Sequence, residues 1–462
     1  MKKTLLYLTL CLSFFASKTA LAQDPYTLTL FDQAVYYGMY GATVDEPIPE
    51  GTIRNSNSSY SKMLTEEQLA AFGNKLTMTV TLHPLCDNYD RIGNVNLALV
   101  PKGATTYEYN EVERIEIGRF ITPFMDMNVT NPDSVPYVYE LDNLTSIFHD
   151  EAITAMYDIW IELEVYGYQG GPGQGGAAVE IPGCAGRNDV YMGSLEFYST
   201  FDNSIENEGN FLLPLSYKYE LKNYTLEGTD VLGETVRTID FTLDEPVNNA
   251  NLYIITSNHG ANAGGEEYIR RNHFIYFDEE QVLMYKPGGV SCGPFFEYNT
   301  QPSCIYYDCS TTPAYPRPHT DAAWSWNNWC PGDKIPVRSV SLGQLEAGEH
   351  SFRIEVPDAQ FADEQGYFPM SVYIQSDNPA LSTNTFDVAT FSVYPNPVVD
   401  VLTINTTSGT TVQNVTVTNT LGQSVYKGTT ATADLSELQS GIYIVTAAFT
   451  NGTTATQKIV KK

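Results

Sequence analysis

The feature that most restricts what this chain can fold into is an apolar–polar alternation of period two that recurs along most of its length. Lys75-Leu-Thr-Met-Thr-Val-Thr-Leu82, Val95-Asn-Leu-Ala-Leu-Val100, Tyr157-Asp-Ile-Trp-Ile-Glu-Leu-Glu-Val165 and Asn251-Leu-Tyr-Ile-Ile-Thr256 carry it, bounded by Gly, Pro, Asn and Asp. Successive side chains of a strand point to opposite faces, so such runs read as half-buried antiparallel strands. Helical periodicity is scarce, and Thr65 to Phe72 is its best short example. The 32 tyrosines, with recurring Thr and Val, suit pleated surfaces. The expected class is all-β, built of sandwiches.

A chain of 462 residues is too long for one ordinary domain. Hydrophobic residues make up 42% and charged residues 17%, enough apolar material for real cores. The formal charge of −30 repels phosphate backbones, so nucleic acid is not an expected partner. Met1-Lys-Lys-Thr, the apolar run Leu5 to Ala16 and Ala20-Leu-Ala22 read as a signal peptide over residues 1–22, and hence as export. Cys11 leaves with it, and six cysteines remain: Cys86, Cys184, Cys292, Cys304, Cys309 and Cys330. An even number in an exported chain favours disulfides, and Cys304 and Cys309 are close enough in sequence for a local bridge. No cysteine pair has zinc-ligand spacing, and the six histidines form neither HxH nor HExxH, so no metal or other cofactor is expected.

The polar stretch at 202–210 separates a first domain, 23–205, from a second, 206–378. A linker follows at 379–389. From residue 390 the style changes: Val393-Tyr-Pro-Asn-Pro397, Leu421-Gly422, Gly441-Ile-Tyr-Ile-Val445 and a basic end, Lys458-Ile-Val-Lys-Lys462. This segment, 390–462, resembles the C-terminal sorting domain of type nine secretion, which implies a small β-sandwich that engages the secretion machinery. The resulting location is secreted or cell-surface, reached through the periplasm.

With no GxSxG elbow and with cysteines expected to be oxidised, carboxylates are left as the candidate acids and bases. Three patterns offer them. In Cys86-Asp-Asn-Tyr-Asp-Arg91, a bridged cysteine would hold the loop carrying Asp90 and Arg91 rigid, although an Asp-Arg pair at a strand start commonly serves as a turn cap and surface ion pair. In Trp160-Ile-Glu-Leu-Glu164, alternation puts Trp160, Glu162 and Glu164 on one face, an aromatic ring beside two carboxylates, as a sugar would require. In His259-Gly-Ala-Asn-Ala-Gly-Gly-Glu-Glu-Tyr268, a glycine-rich turn delivers Glu266 and Glu267. The glycines of Gln169 to Gly176 form a surface loop and not a phosphate cradle, since no helix is apparent after them.

Two further segments are distinctive: Glu116-Ile-Gly-Arg-Phe-Ile-Thr-Pro-Phe124, and Trp329-Cys-Pro-Gly332 followed by Pro336-Val-Arg338. With Cys86 to Val95, they make residues 75–378 resemble the peptide-N-glycosidase F family. The resemblance implies two jelly-roll-like antiparallel β-sandwich domains with an acidic cleft between them. It implies hydrolysis of the amide between an N-glycan and its Asn, giving Asp and a glycosylamine, with N-glycosylated proteins and glycopeptides as partners. It places the catalytic carboxylates at Asp90, Glu162 and Glu267, with Glu266 as the neighbouring alternative to Glu267. It places substrate contacts at Arg91, Trp160, Glu266, Trp326 and Trp329, and a bridge at Cys292 and Cys330. A monomer is expected. The alternatives are a glycan-binding protein without turnover and a copper-dependent monooxygenase, the latter needing clustered His and Met ligands that the sequence does not display.

Overall fold

The computed structural model describes residues 24–173, 175–205, 211–261, 265–301, 307–308, 310, 315–316, 328–376, 391–406, 411–419, 423–449 and 454–462. The expected signal peptide and linker, Trp324, Trp326, Cys304 and Cys309 lie outside the described residues. The chain divides into a unit ending at Ser382 and a second from Thr383 to Lys462.

The first unit contains two sandwiches. In the first sandwich, a four-stranded sheet has the order Tyr26–Tyr37, Asp189–Thr200, Lys75–Pro84, Val135–Glu140. It faces a six-stranded sheet ordered Lys334–Ile335, Glu113–Ile121, Ile92–Pro101, Tyr157–Val165, Ser59–Met63, Thr52–Ser56. Every pairing is antiparallel. Lys75–Pro84 alternates as its sequence requires, and buries Leu76, Met78, Val80 and Leu82. Each such side chain contributes about 1.5–3 kcal/mol by leaving water. The one clear early helix, Glu66–Ala71, is closed by a capping box: Thr65 Oγ1 accepts from the Gln68 N–H, and Gln68 Oε1 accepts from the Thr65 N–H. The glycine-rich loop at 169–176 is followed by a single helical turn, Ala177–Glu180, where the sequence suggested no helix. Four residues are too few to show a period.

Three central strands of the six-stranded sheet are buried on both faces. The face turned away from the four-stranded sheet carries Asn94, Asn96, Arg114, Glu116, Arg119, Glu162 and Glu164, all buried. Each of these side chains makes at least one hydrogen bond, which is what lets polar groups persist there.

The second sandwich pairs two four-stranded sheets. One is ordered Phe211–Leu221, Phe368–Ser376, Val247–Thr256, Arg338–Leu345, and the other Val236–Leu243, Gly348–Glu355, His273–Phe277, Glu280–Tyr285. Leu252, Ile254, Ile275, Phe352, Ile354, Met370 and Val372 form its core. Two devices join it to the first. The short strand Lys334–Ile335 pairs with Phe120 and Arg119 on the first sandwich. The other device is the Arg119 side chain itself. A register shift after Val95 leaves Ile117 as an extra residue, so Glu116 and Arg119 fall on the same face. Arg119 donates to both Glu116 carboxylate oxygens, at 2.7 and 2.6 Å, and its Nη1 crosses to Ser257 Oγ (2.9 Å) and the Pro369 carbonyl (2.7 Å). Ser371 donates to Glu116 in return. The conspicuous Glu-Ile-Gly-Arg run is therefore a buried clamp between sandwiches.

The second unit is a small sandwich. Its sheets are ordered Phe391–Tyr394, Val401–Thr406, Thr432–Asp434 and Ser424–Gly428, Val412–Asn419, Gly441–Phe449, Thr454–Lys461. They close over Val398, Leu402, Val415, Val417, Leu435, Val445 and Ile459.

Candidate active site

Asp90 sits in the loop between Lys75–Pro84 and Ile92–Pro101, and three constraints fix that loop. Cys86 is bridged to Cys184 across 98 residues, tying it to the segment after the glycine-rich loop. The buried Asp87 carboxylate accepts from the N–H groups of Tyr89 (3.0 Å) and Tyr168 (2.6 Å) and from Arg91 Nε (2.8 Å). Thr122, from the Ile-Thr-Pro end of the distinctive motif, accepts from the Arg91 N–H (2.7 Å) and donates to the Tyr89 carbonyl (2.8 Å). Asp90 is left between these anchors, where it lines a cavity of about 460 Å³. The cavity lies between the sandwiches. Arg91, Asn94, Arg119 and Tyr166 come from the first, and Lys218, Glu220, His259 and Tyr367 from the second.

Burial, and then the negative charge of Glu267, push the Asp90 carboxyl up to about 8; Arg91 offsets only part of this. Glu267 is itself raised by burial, although the Gly260 N–H and Tyr268 hydroxyl favour its charged form. Tyr268 is correspondingly raised to about 12, by burial and by the charges of Glu267 and Asp90. Two carboxyls thus repel one another across one site, the usual arrangement for holding a proton at neutral pH. His259 cannot supply a second proton there. Burial and the adjacent Arg119 drop it to about 3, so it is neutral, with Nε2 bonded to Ser257 Oγ at 2.7 Å.

The remaining sequence candidates fall in different places. Glu162 is buried opposite Asn96, paired with Arg114 (2.9 Å) and accepting from Tyr107 OH (2.6 Å); it does not line the Asp90 cavity. Glu164 lies opposite Asn94, two residues nearer the Asp90 end of the sheet. It accepts from Tyr109 OH (2.7 Å), Tyr166 OH (3.2 Å) and the Lys218 ammonium. Burial pushes its carboxyl up, but Lys218 and these hydroxyls more than offset that and leave it lowered and ionised. Glu266 is fully buried, with both oxygens on Arg271 and one on the Gln360 N–H. Trp160 packs on Ala98, Val100 and Tyr107 and is 5% exposed, so its ring fills a core instead of presenting a sugar platform. Trp329 is also buried. It donates to the Asn258 carbonyl (3.0 Å), stacks on His259, and sits beside the Cys292–Cys330 bridge. Arg91 lines the cavity while its Nε holds Asp87.

Lys218 and Tyr166 were not singled out from the sequence. Lys218 lies on the edge strand Phe211–Leu221, whose register slips on either side of Ser216, and has φ +44°. Only that kink brings its side chain to Glu164. Among the described residues, no three His, Cys, Asp or Glu side chains converge as metal ligands.

With that geometry in view, comparison with known families is decisive. Residues 27–167 match the N-terminal domain of peptide-N-glycosidase F, and residues 229–375 match its C-terminal domain. The chain belongs to the peptide-N-glycosidase F family. Residues 392–462 match the secretion-system C-terminal sorting domain, so this family member is exported, to the cell surface or the medium. Among solved structures, PNGF-II aligns in two crystal forms. In one, the TM-score is 0.53 at 17% identity, over 78% of this chain and 66% of that one. In the other, it is 0.53 at 18%, over 76% and 65%. The chain therefore spans just under two thirds of those structures, and the likeness is one of fold. The glycosylasparaginase PNGase F from Flavobacterium meningosepticum aligns at TM-score 0.45 and 15% identity, over 77% of this chain and 96% of that one. No functionally curated protein matches.

Proposed function

We propose that this member of the peptide-N-glycosidase F family hydrolyses the amide joining an N-glycan to its Asn side chain. The observation that carries the reading is Asp90: a carboxyl held by a disulfide-anchored loop, raised to about 8 by burial and by the charge of Glu267, at a cavity between two sandwiches. A carboxyl poised near working pH is what proton transfer to and from a reacting group requires.

Ionised Asp90 takes a proton from a water molecule whose oxygen attacks the side-chain carbonyl carbon. The carbon–nitrogen bond breaks, and the proton passes to the departing glycosylamine nitrogen. The polypeptide keeps an Asp, and the glycosylamine hydrolyses to a reducing sugar and ammonia. Glu267 keeps the Asp90 proton affinity high. Glu164, ionised and bonded to Lys218 and tyrosine hydroxyls, is the strand carboxylate placed to accept from sugar hydroxyls; Glu162, two residues further along, holds Arg114. Arg91 positions the Asp90 loop through Asp87. N-glycosylated proteins and glycopeptides are the substrates.

The test is mass spectrometry of a glycopeptide after incubation with the mature protein, beside Asp90→Asn. Free glycan with conversion of Asn to Asp, absent from the variant, is expected. Retained binding without product would point to a glycan-binding protein, and cleavage that leaves a sugar on Asn would rule out the amidase chemistry.

A further inference from the structure

Beside the Asp90 cavity lies a second, of about 420 Å³. Tyr166 and Lys218 line both, so the two adjoin across the Glu164–Lys218 ion pair. Its chemistry is unlike that of a packing defect. Three tyrosine hydroxyls converge on Glu164: Tyr109 at 2.7 Å, Tyr166 at 3.2 Å and Tyr217 at 3.3 Å, with Tyr109 and Tyr217 also bonded to one another at 2.7 Å. Arg114 lies 4.0 Å over the Tyr109 ring and fixes it. The far wall is the polar hairpin Thr52–Ser56/Ser59–Met63, reached at Ser56, and the exposed Asn110.

The ligand class follows from these groups. The cavity's one cation is neutralised by Glu164 among the lining residues, so an anion gains little there. Aromatic rings with oriented hydroxyls, a carboxylate and an amide suit a neutral, polyhydroxylated ring that offers C–H groups to the aromatic faces and O–H groups to the acceptors. The volume is within the range of small-ligand sites. We infer that this cavity is a subsite for a further pyranose of the same glycan, beyond the sugars next to the scissile amide, and that the Lys218–Glu164 pair forms the wall both subsites share. The inference rests on the amidase reading for its substrate but is testable without it.

Asn110→Trp and Ser56→Trp fill the cavity from exposed positions outside the Asp90 cavity, so the fold tolerates them, and thermal melting verifies this for each. The probes are one peptide carrying a branched mannose-containing oligosaccharide and the same peptide carrying only the two innermost sugars. Either substitution is expected to raise KM at least tenfold for the branched substrate while leaving the two-sugar substrate within twofold. Equal effects on both substrates, or none on either, would overturn the subsite. If the parent protein cleaves neither, the amidase reading falls instead. Calorimetry of the branched oligosaccharide with Asp90→Asn, with and without Asn110→Trp, then still decides: loss of binding supports the subsite, and unchanged binding rejects it.

Discussion

Asp90→Asn is expected to abolish turnover and at the same time stabilise the protein at alkaline pH. In the folded chain the carboxyl ionises near pH 8, against 3.8 for an ordinary aspartate. Below pH 3.8 both folded and unfolded chains are protonated there, and the group costs nothing. As pH rises from 3.8 towards 8, the unfolded chain releases its proton first, so stability is lost across that window and levels off above it. At about 1.4 kcal/mol per pH unit the full penalty is about 5–6 kcal/mol. Because Asp90 is partly open to solvent, we halve this to about 2–3 kcal/mol, screening having its usual effect. Asparagine has nearly the same shape and no charge to bury. Urea unfolding of parent and variant at pH 5 and pH 9 should therefore show the stability gap widening by about 2 kcal/mol in favour of the variant. A gap that does not change with pH, or a variant less stable than its parent at pH 9, would refute the burial-and-repulsion account of the site.

Two other perturbations probe the remaining parts. Glu267→Gln removes the like charge facing Asp90, so the rising limb of the pH–rate profile should move from about 8 to lower pH, by about one pH unit, whatever happens to the maximal rate. Arg119→Met strands the buried Glu116 carboxylate between sandwiches and should cost about 3–5 kcal/mol in urea unfolding, whereas Arg119→Met with Glu116→Met should recover most of it.

Much of this organisation was legible in the residue order, because antiparallel strands with one wet face write their period directly into the chain. Lys75–Pro84 is such a strand, and the short helical period from Thr65 to Phe72 holds the helix Glu66–Ala71. What local pattern could not supply was position along a face. Trp160, Glu162 and Glu164 share one face, but only pairing with Ile92–Pro101 decides which end approaches Asp90. Trp160 falls at the far end, against Ala98, where a large ring is worth more as filling than as a platform. Glu162 meets Arg114, which the preceding Val112 and Glu113 give no reason to expect beneath the sheet. Lys218 is harder still, since its direction depends on a register slip against a strand some 150 residues later.

The clamp and the site are coupled by the same residues, and this bears on how the family motif should be read. Glu-Ile-Gly-Arg-Phe-Ile-Thr-Pro contains no group proposed to react, yet its two ends govern the cavity from opposite sides. Arg119 lines the cavity while holding Ser257, which in turn holds the neutral His259. Thr122, three residues on, fixes the backbone on both sides of Asp90 through Tyr89 and Arg91. A single strand thus sets the separation of the sandwiches and the placement of the carboxyl between them. A sub-ångström change in that strand would move Asp90 relative to Glu267, and the Asp90 proton affinity, which depends on their repulsion, would move with it. The motif's conspicuousness therefore reflects positioning, and the chemistry is assigned to residues that in isolation look like an ordinary turn.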